Sequence, residues 1–287
     1  MLLIAGGQLD ANMRALAQAA QVMSVPCIDL CVPPASSPLF HWDLDAPPDA
    51  CPWGDGPLPR GAFIRQDVFA AMADPRPEVS QRALGWFTAV QGWLMAHPQV
   101  RTFNADMAAV AFNKPAALLR ARAAGLRTPP TWVSNDTEQL RSRLASPSIA
   151  KPVAGGGLCQ TLSEALVGVT QAGSAMPALI QPCLVAPELR VFVIGERTLA
   201  FEVSSPSLDY REHQDAEVTP CEVPPEAAAL RRLMQDLRMD FGAADFKTDP
   251  HTGALVFLEL NTSPMFVHFD QVSQGRLTQA MVHHLMG

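Results

Sequence analysis

No stretch of the sequence approaches the roughly 20 apolar residues that a membrane helix needs, so a helical membrane protein is not expected. Long runs of Lys or Arg are also missing, and the formal net charge is −7. The arginines that do cluster, Arg120, Arg122 and Arg127, then Arg141 and Arg143, fall on expected amphipathic helices and read as solvated faces. Nucleic acid and membrane are therefore not expected as partners. The six cysteines include no CxxC pair, and neither a second pair nor a nearby histidine completes a zinc site with Cys27 and Cys31. They read as reduced thiols of a cytoplasmic protein. The start, Met1 to Gly7, lacks a basic segment and is too short in its apolar run for a signal peptide. The two commonest nucleotide motifs, GxxxxGK[ST] and GxGxxG, are absent. No Ser-His-Asp or Cys-His constellation is evident, and His251, His268, His283 and His284 read as turn or surface residues.

What remains is a chain of 287 residues with 48% apolar residues, ample for a continuous core and for two or three subdomains. Leu2–Ala5, Asp10–Met23 and Val25–Leu30 read as strand, helix, strand, an open α/β beginning. Residues 32–60 are crowded with proline and read as a surface connection or insertion. A strand near Ala62–Arg65 and a helix near Glu78–Ala96 follow. Asn113 is an expected N-cap, with Pro115 in the first turn and Gly125 closing the helix. Thr128-Pro129-Pro130 forces an extended chain into Thr131–Ser134, and Asn135 with Glu138 resembles a capping box. Strands are expected at Ser148–Val153, Ala178–Gln181, Leu189–Ile194 and Thr198–Val203, then a helix at Glu226–Met239. Two strands, Ala243–Thr248 and Ala254–Leu260, flank the turn Asp249–Gly253, and a helix fills Arg276–Met286.

That hairpin carries the strongest chemical signal. With its turn centred near residue 252, Asp245 lies opposite Glu259, and Asn261 shares the face of Glu259. Opposed side chains have Cβ atoms about 4.5–5.5 Å apart, and like charges there destabilise the pair. The surrounding residues, Phe246, Leu255, Val256, Phe257, Leu258 and Leu260, are apolar. Two carboxylates and an amide on one half-buried surface call for a cation, and all-oxygen ligation favours Mg²⁺. The alternative is that Asp245 pairs only with Lys247 or with an arginine elsewhere. Upstream, Lys151 sits on an apolar strand that feeds Gly155-Gly156-Gly157, where backbone N–H groups can close on a phosphate or the loop can be a plain turn.

Taken in order, these segments resemble ATP-grasp enzymes. Asn113-Lys114 resembles the first nucleotide lysine of that family, and Lys151 with its glycines the lysine strand and lid loop. Leu179 to Val191 resembles the adenine hinge. The resemblance implies that the backbone of Cys183 and Leu184 meets the adenine edge, that Gln181 contacts the adenine amino group, and that Glu188 binds the ribose hydroxyls. Phe257 to Pro264 resembles the metal strand, with Asp245-Phe246 as its companion.

The resemblance implies an α/β fold of the ATP-grasp type in three parts: an N-terminal pre-ATP-grasp domain at 1–110, a central lid domain at 111–185 and a C-terminal domain with the metal site at 186–287. It implies ATP and Mg²⁺, two ions of it, as cofactors: Lys114 and Lys151 on phosphates, and Asp245, Glu259 and Asn261 on the metal. The helix entry from Asn113 to Thr131 resembles RimK-type enzymes, and within those the graspetide or microviridin ligases; Asp209-Tyr210-Arg211 resembles an element of that branch. These ligases activate a peptide side-chain carboxylate as an acyl phosphate and join it to an amine or hydroxyl, releasing ADP. Two departures stand out. Thr262-Ser263-Pro264-Met265 is closer to the D-alanine–D-alanine ligase pattern, and Ala243-Ala244 occupies the place where some relatives carry an arginine, so Arg190 or Arg211 would supply that charge, with Lys247 as an outside candidate. A free-standing amino-acid or dipeptide ligase, and a non-catalytic ATP- or peptide-binding module, stand as alternatives. A homodimer is the default for a soluble enzyme.

Overall fold

A computed structural model of the chain describes residues 1–33, 35–45, 51–54, 56–69, 74–154, 158–205 and 216–287, with the side chains of 174 and 175 excepted. Its contacts divide the chain into two units, Met1–Asp106 with Ser263–Gly287, and Met107–Thr262.

The first unit is built on a parallel sheet of order β2-β1-β3-β4, formed by β1 (Leu2–Gly7), β2 (Cys27–Val32), β3 (Gly61–Ile64) and the short β4 (Arg101–Thr102). β1 is buried along its whole length, as befits a central parallel strand. Helix α1 (Ala11–Val22) follows directly, and the Asp10 side chain caps it by accepting from Asn12 N. Helix α2 (Pro77–Ala96) packs Trp86, Val90, Trp93 and Leu94 with Leu3 and Ala5.

Past Val32, the end of β2, the proline-rich stretch holds no helix or strand among its described residues, yet it is not a bare surface connection. Phe40 stands edge-on to Trp86 at 5.5 Å and Trp53 edge-on to Trp93 at 4.6 Å between ring centroids, so it lays aromatic rings on α2.

The second unit contains two antiparallel sheets. One has the order β5-β8-β6-β7, from β5 (Trp132–Asp136), β6 (Ser148–Pro152), β7 (Gln160–Thr161) and β8 (Gly173–Pro182). The other has the order β11-β10-β9-β12-β13, from β9 (Val185–Ile194), β10 (Arg197–Ser204), β11 (Glu217–Cys221), β12 (Phe241–Thr248) and β13 (Leu255–Asn261). Helix α3 (Lys114–Ala123) and, further on, α6 (Ala227–Asp236) pack Leu118, Ala121, Leu230 and Leu233 with Val191, Val193, Ala244 and Phe257.

Helix α3 starts as expected. Asn113 accepts from Ala116 N at 3.0 Å, Pro115 occupies the first turn, and Gly125 takes φ +92° just past the end. The cap of α4 (Thr137–Ser142) differs from expectation. Asp136, rather than Asn135, accepts from Glu138 N and Gln139 N, because β5 runs on to residue 136 and leaves the aspartate at the turn into the helix. The capping box lies elsewhere, at Thr161 and Glu164 of the single-turn α5 (Leu162–Ala165). Two helices close the chain, α7 (Val267–Val272) and α8 (Arg276–Met286), and both belong to the first unit. Asp270 ties them together by accepting from Thr278 N at 2.9 Å and from its hydroxyl at 3.0 Å.

Candidate active site

The hairpin β12–β13 places Asp245 opposite Glu259, as its turn length requires. A register shift beyond Asp245 then pairs Phe246 with Phe257, so the two strands lose strict alternation just past the carboxylates. On its other side β12 pairs with β9, where Arg190 is the partner of Asp245. Arg190, Asp245 and Glu259 therefore form a row across three adjacent strands. Arg190 Nη1 lies 3.1 Å from Asp245 Oδ1, and both side chains are nearly buried. Asn261 Nδ2 donates to Asp245 Oδ2 at 3.2 Å, which leaves the amide oxygen of Asn261 as a further oxygen donor. The carboxylates and the amide are side by side, as expected, and Asp245 also pairs with an arginine.

The electrostatics of Asp245 follow from this position. Its carboxyl stands raised to about 6: burial pushes it up most, Arg190 pulls it down, the carboxylates of Glu259 and Glu188 push it up, and Lys151 pulls it down. Glu259 is balanced differently. Lys114, the first residue of α3, brings Nζ to 3.0 Å from Glu259 Oε2. Lys247 takes Glu188, with Nζ 2.9 Å from Oε2, rather than Asp245. Lys151 lies on β6 opposite Leu179 of β8 and enters none of these pairs, although its charge reaches Asp245. Among the described residues no group of three or more His, Cys, Asp and Glu side chains could hold a metal ion, so the metal candidates are two carboxylates and one amide. That donor set suits Mg²⁺, which takes one or two protein carboxylates and keeps water or phosphate for its other positions.

On the hinge between β8 and β9, Gln181 is almost fully buried. Its Nε2 donates to Thr131 Oγ1 at 3.1 Å, while its buried Oε1 finds no partner among the described residues. An unsatisfied buried acceptor is costly, and an exocyclic amino group would relieve it. Cys183 donates its N–H to Pro147 O at 3.0 Å, so its carbonyl is what its backbone can still offer a base. Leu184 follows it, between the two strands. Burial pushes the Cys183 thiol up, and Lys247 pulls it down.

The expected residues Lys114, Glu188, Arg190, Asp245, Glu259 and Asn261 are thus brought into one ion-pair cluster of the second unit. Gly155, Gly156, Gly157 and Arg211, with Asp209 and Tyr210, lie outside the described residues. Sequence reasoning missed the roles of Thr131, which holds Gln181, and of Lys247, which holds Glu188. Lys247 had a signal, standing two residues past Asp245, but its partner is Glu188.

No family model matches the chain, and no curated protein matches it. Solved structures do. An ATP-grasp ligase, PsnB, complexed with a minimal precursor, superposes with a TM-score of 0.76 over 99% of both chains at 22% identity. The macrocyclase MdnC from Microcystis aeruginosa MRC, bound with the precursor peptide MdnA, gives a TM-score of 0.71 at 16% identity over 100% of this chain and 99% of that one. D-cycloserine synthetase DcsG gives 0.59 at 15% identity over 99% of each. The chain has the fold of ATP-grasp ligases along its whole length.

Proposed function

We propose that the protein is an ADP-forming ATP-grasp ligase that activates a peptide side-chain carboxylate and joins it to an amine or hydroxyl. The observation that carries this reading is the row Arg190–Asp245–Glu259, with Lys114 and Asn261 attached to it, on this fold. Structures of the similar PsnB include complexes with precursor, Mg and ADP, which supports the same ligands here. In this reading Gln181 Oε1 accepts from the adenine amino group, the Cys183 carbonyl and Leu184 N–H meet the base edge, and Glu188 receives the ribose hydroxyls. Lys114 and Lys151 bind phosphate oxygens. Asp245, Glu259 and the Asn261 amide oxygen hold Mg²⁺, which when bound neutralises phosphate charge during γ-phosphoryl transfer. Arg190 supplies positive charge beside them in a nearly buried site, where it is worth more than in water. Arg211 and the glycines at 155–157 keep the catalytic and phosphate-covering roles that the sequence suggests, and residues 111–185 that of the lid.

A second reading, a ligase for free amino acids or dipeptides, is favoured by Thr262-Ser263-Pro264-Met265 and by the likeness to the D-cycloserine synthetase DcsG. ADP release from ATP and Mg²⁺, measured with pooled acidic peptides and separately with pooled amino acids, tests both. Release stimulated by the peptide pool, and lost by at least about a hundredfold in Glu259→Ala, is the expected outcome. Stimulation by amino acids alone would select the second reading. Tight ADP binding with no release from either pool would leave a binding module.

A further inference from the structure

The charges of the site are arranged as neighbours that cancel. Glu259 faces the Asp245 carboxylate across the β12–β13 ladder, a like-charge juxtaposition that requires a cation. Arg190 and the Asn261 amide are already committed to Asp245. Lys114 supplies a cation to Glu259, reaching from the N-terminus of α3 to Oε2 at 3.0 Å, with both side chains about a third exposed or less. A lysine in that position serves the carboxylate. For its ammonium to serve a phosphate, something else must take Glu259, because leaving that carboxylate beside Asp245 without its cation is unfavourable. A divalent ion held by these carboxylates would do this. Among the described residues Lys151 is in none of these ion pairs, so its charge is available without breaking one of them.

We infer that Glu259 acts as a gate on Lys114: it withholds the lysine from phosphate until a metal ion takes the carboxylate, so the site selects the metal–nucleotide complex over free nucleotide. This rests on the nucleotide-binding reading above. It assigns Glu259 a positioning role that a metal ligand alone does not have, and it predicts an effect of opposite sign. Neutralising a simple metal ligand leaves metal-free nucleotide binding where it was. Neutralising a gate improves it.

The test is calorimetric titration of ADP, in EDTA and in Mg²⁺, into the wild type, Glu259→Gln, Lys114→Met, the double variant and Lys151→Met with and without Glu259→Gln. Glutamine keeps the size of Glu259, and melting curves check that each variant is folded. In EDTA, Glu259→Gln is expected to bind ADP about threefold to tenfold more tightly than wild type, the range of a partly exposed ion pair. In Mg²⁺ it should lose most of the gain the metal gives the wild type. The EDTA gain should vanish in the Lys114→Met background and persist in the Lys151→Met background, since coupling between two side chains shows as non-additivity. Unchanged or weaker metal-free binding in Glu259→Gln overturns the inference. So does a gain of equal size in the Lys114→Met background, which would be the work of diffuse charge. ADP that binds none of the folded proteins in either buffer overturns the nucleotide reading itself.

Discussion

Asp245 concentrates the chemistry of the site on one side chain. It is the middle member of a three-strand row, hydrogen-bonded by Arg190 and Asn261 and faced by Glu259. Burial raises its carboxyl to about 6 from the ordinary 3.8. Over the interval between those values the folded protein holds a proton that the unfolded chain has released. This group therefore favours folding at low pH, and that contribution is lost as pH rises through about 6. In EDTA, the melting temperature should fall between pH 5 and pH 7.5 by more in the wild type than in Asp245→Asn, which has nothing to titrate there. Equal falls in the two proteins would show that Asp245 is ionised throughout. Sequence reading reached the Asp245–Glu259 pairing because a short turn joins their strands and fixes the register. Arg190 opposite Asp245 was beyond it, since β9 and β12 meet only after β10, β11 and α6 have intervened.

Elements were legible where their signals are local. Asn113, Pro115 and Gly125 bracket α3 within its own sequence, and the helix forms there. The α4 cap failed because Asn135 and Asp136 are equally good caps and the length of β5 chose between them. The short α5 and β7 carry no periodicity to read, and β11 was not expected either. Some constraints on elements are tertiary and invisible to any pattern. Gly61 on β3 is one: a Cβ there would lie 2.2 Å from the Leu285 carbonyl oxygen in α8, a backbone atom that cannot rotate away. Gly61→Ala should destabilise the protein by about 2 kcal/mol or more in chemical denaturation, as overpacking against backbone does. Gly85→Ala is the matched control, since a Cβ in the middle of α2 meets nothing within 4 Å. That substitution should stabilise by about 0.5–1 kcal/mol through helix propensity. A neutral Gly61→Ala would show that β3 and α8 can part at little cost.

At the scale of the whole molecule, the second unit is inserted between two pieces of the first. Asn12 Oδ1 accepts from Phe266 N at 2.7 Å and from Val267 N at 2.9 Å, a bond across 254 positions of sequence. Arg65, similarly, lies 3.0 Å from Asp10 and donates to Pro264 O at 2.8 Å. Nothing in the amphipathic pattern of Arg276–Met286 says which sheet it will cover, so this return was not readable from sequence. Leu277, Met281, Val282 and Leu285 of α8 are fully buried. Removing residues 276–287 should therefore strip hydrogen-exchange protection from β1 and β3 while leaving β9, β12 and β13 protected. Uniform loss across both units would instead mark a single cooperative body.

Insertion also sets an order of events during synthesis. Strands β1 to β4 leave the ribosome before the second unit, and they lack a wall of their core until Arg276–Met286 has been made. The second unit has its whole sequence available earlier, so it can complete its sheets while the opening strands still wait. Leu2, Ile4 and Phe63, fully or almost fully buried at the end, are then apolar surface in a nascent chain until that helix emerges. Of the two units, the one whose strands are made earlier is the later to close, and its yield in the cell depends on what shields those strands in the meantime.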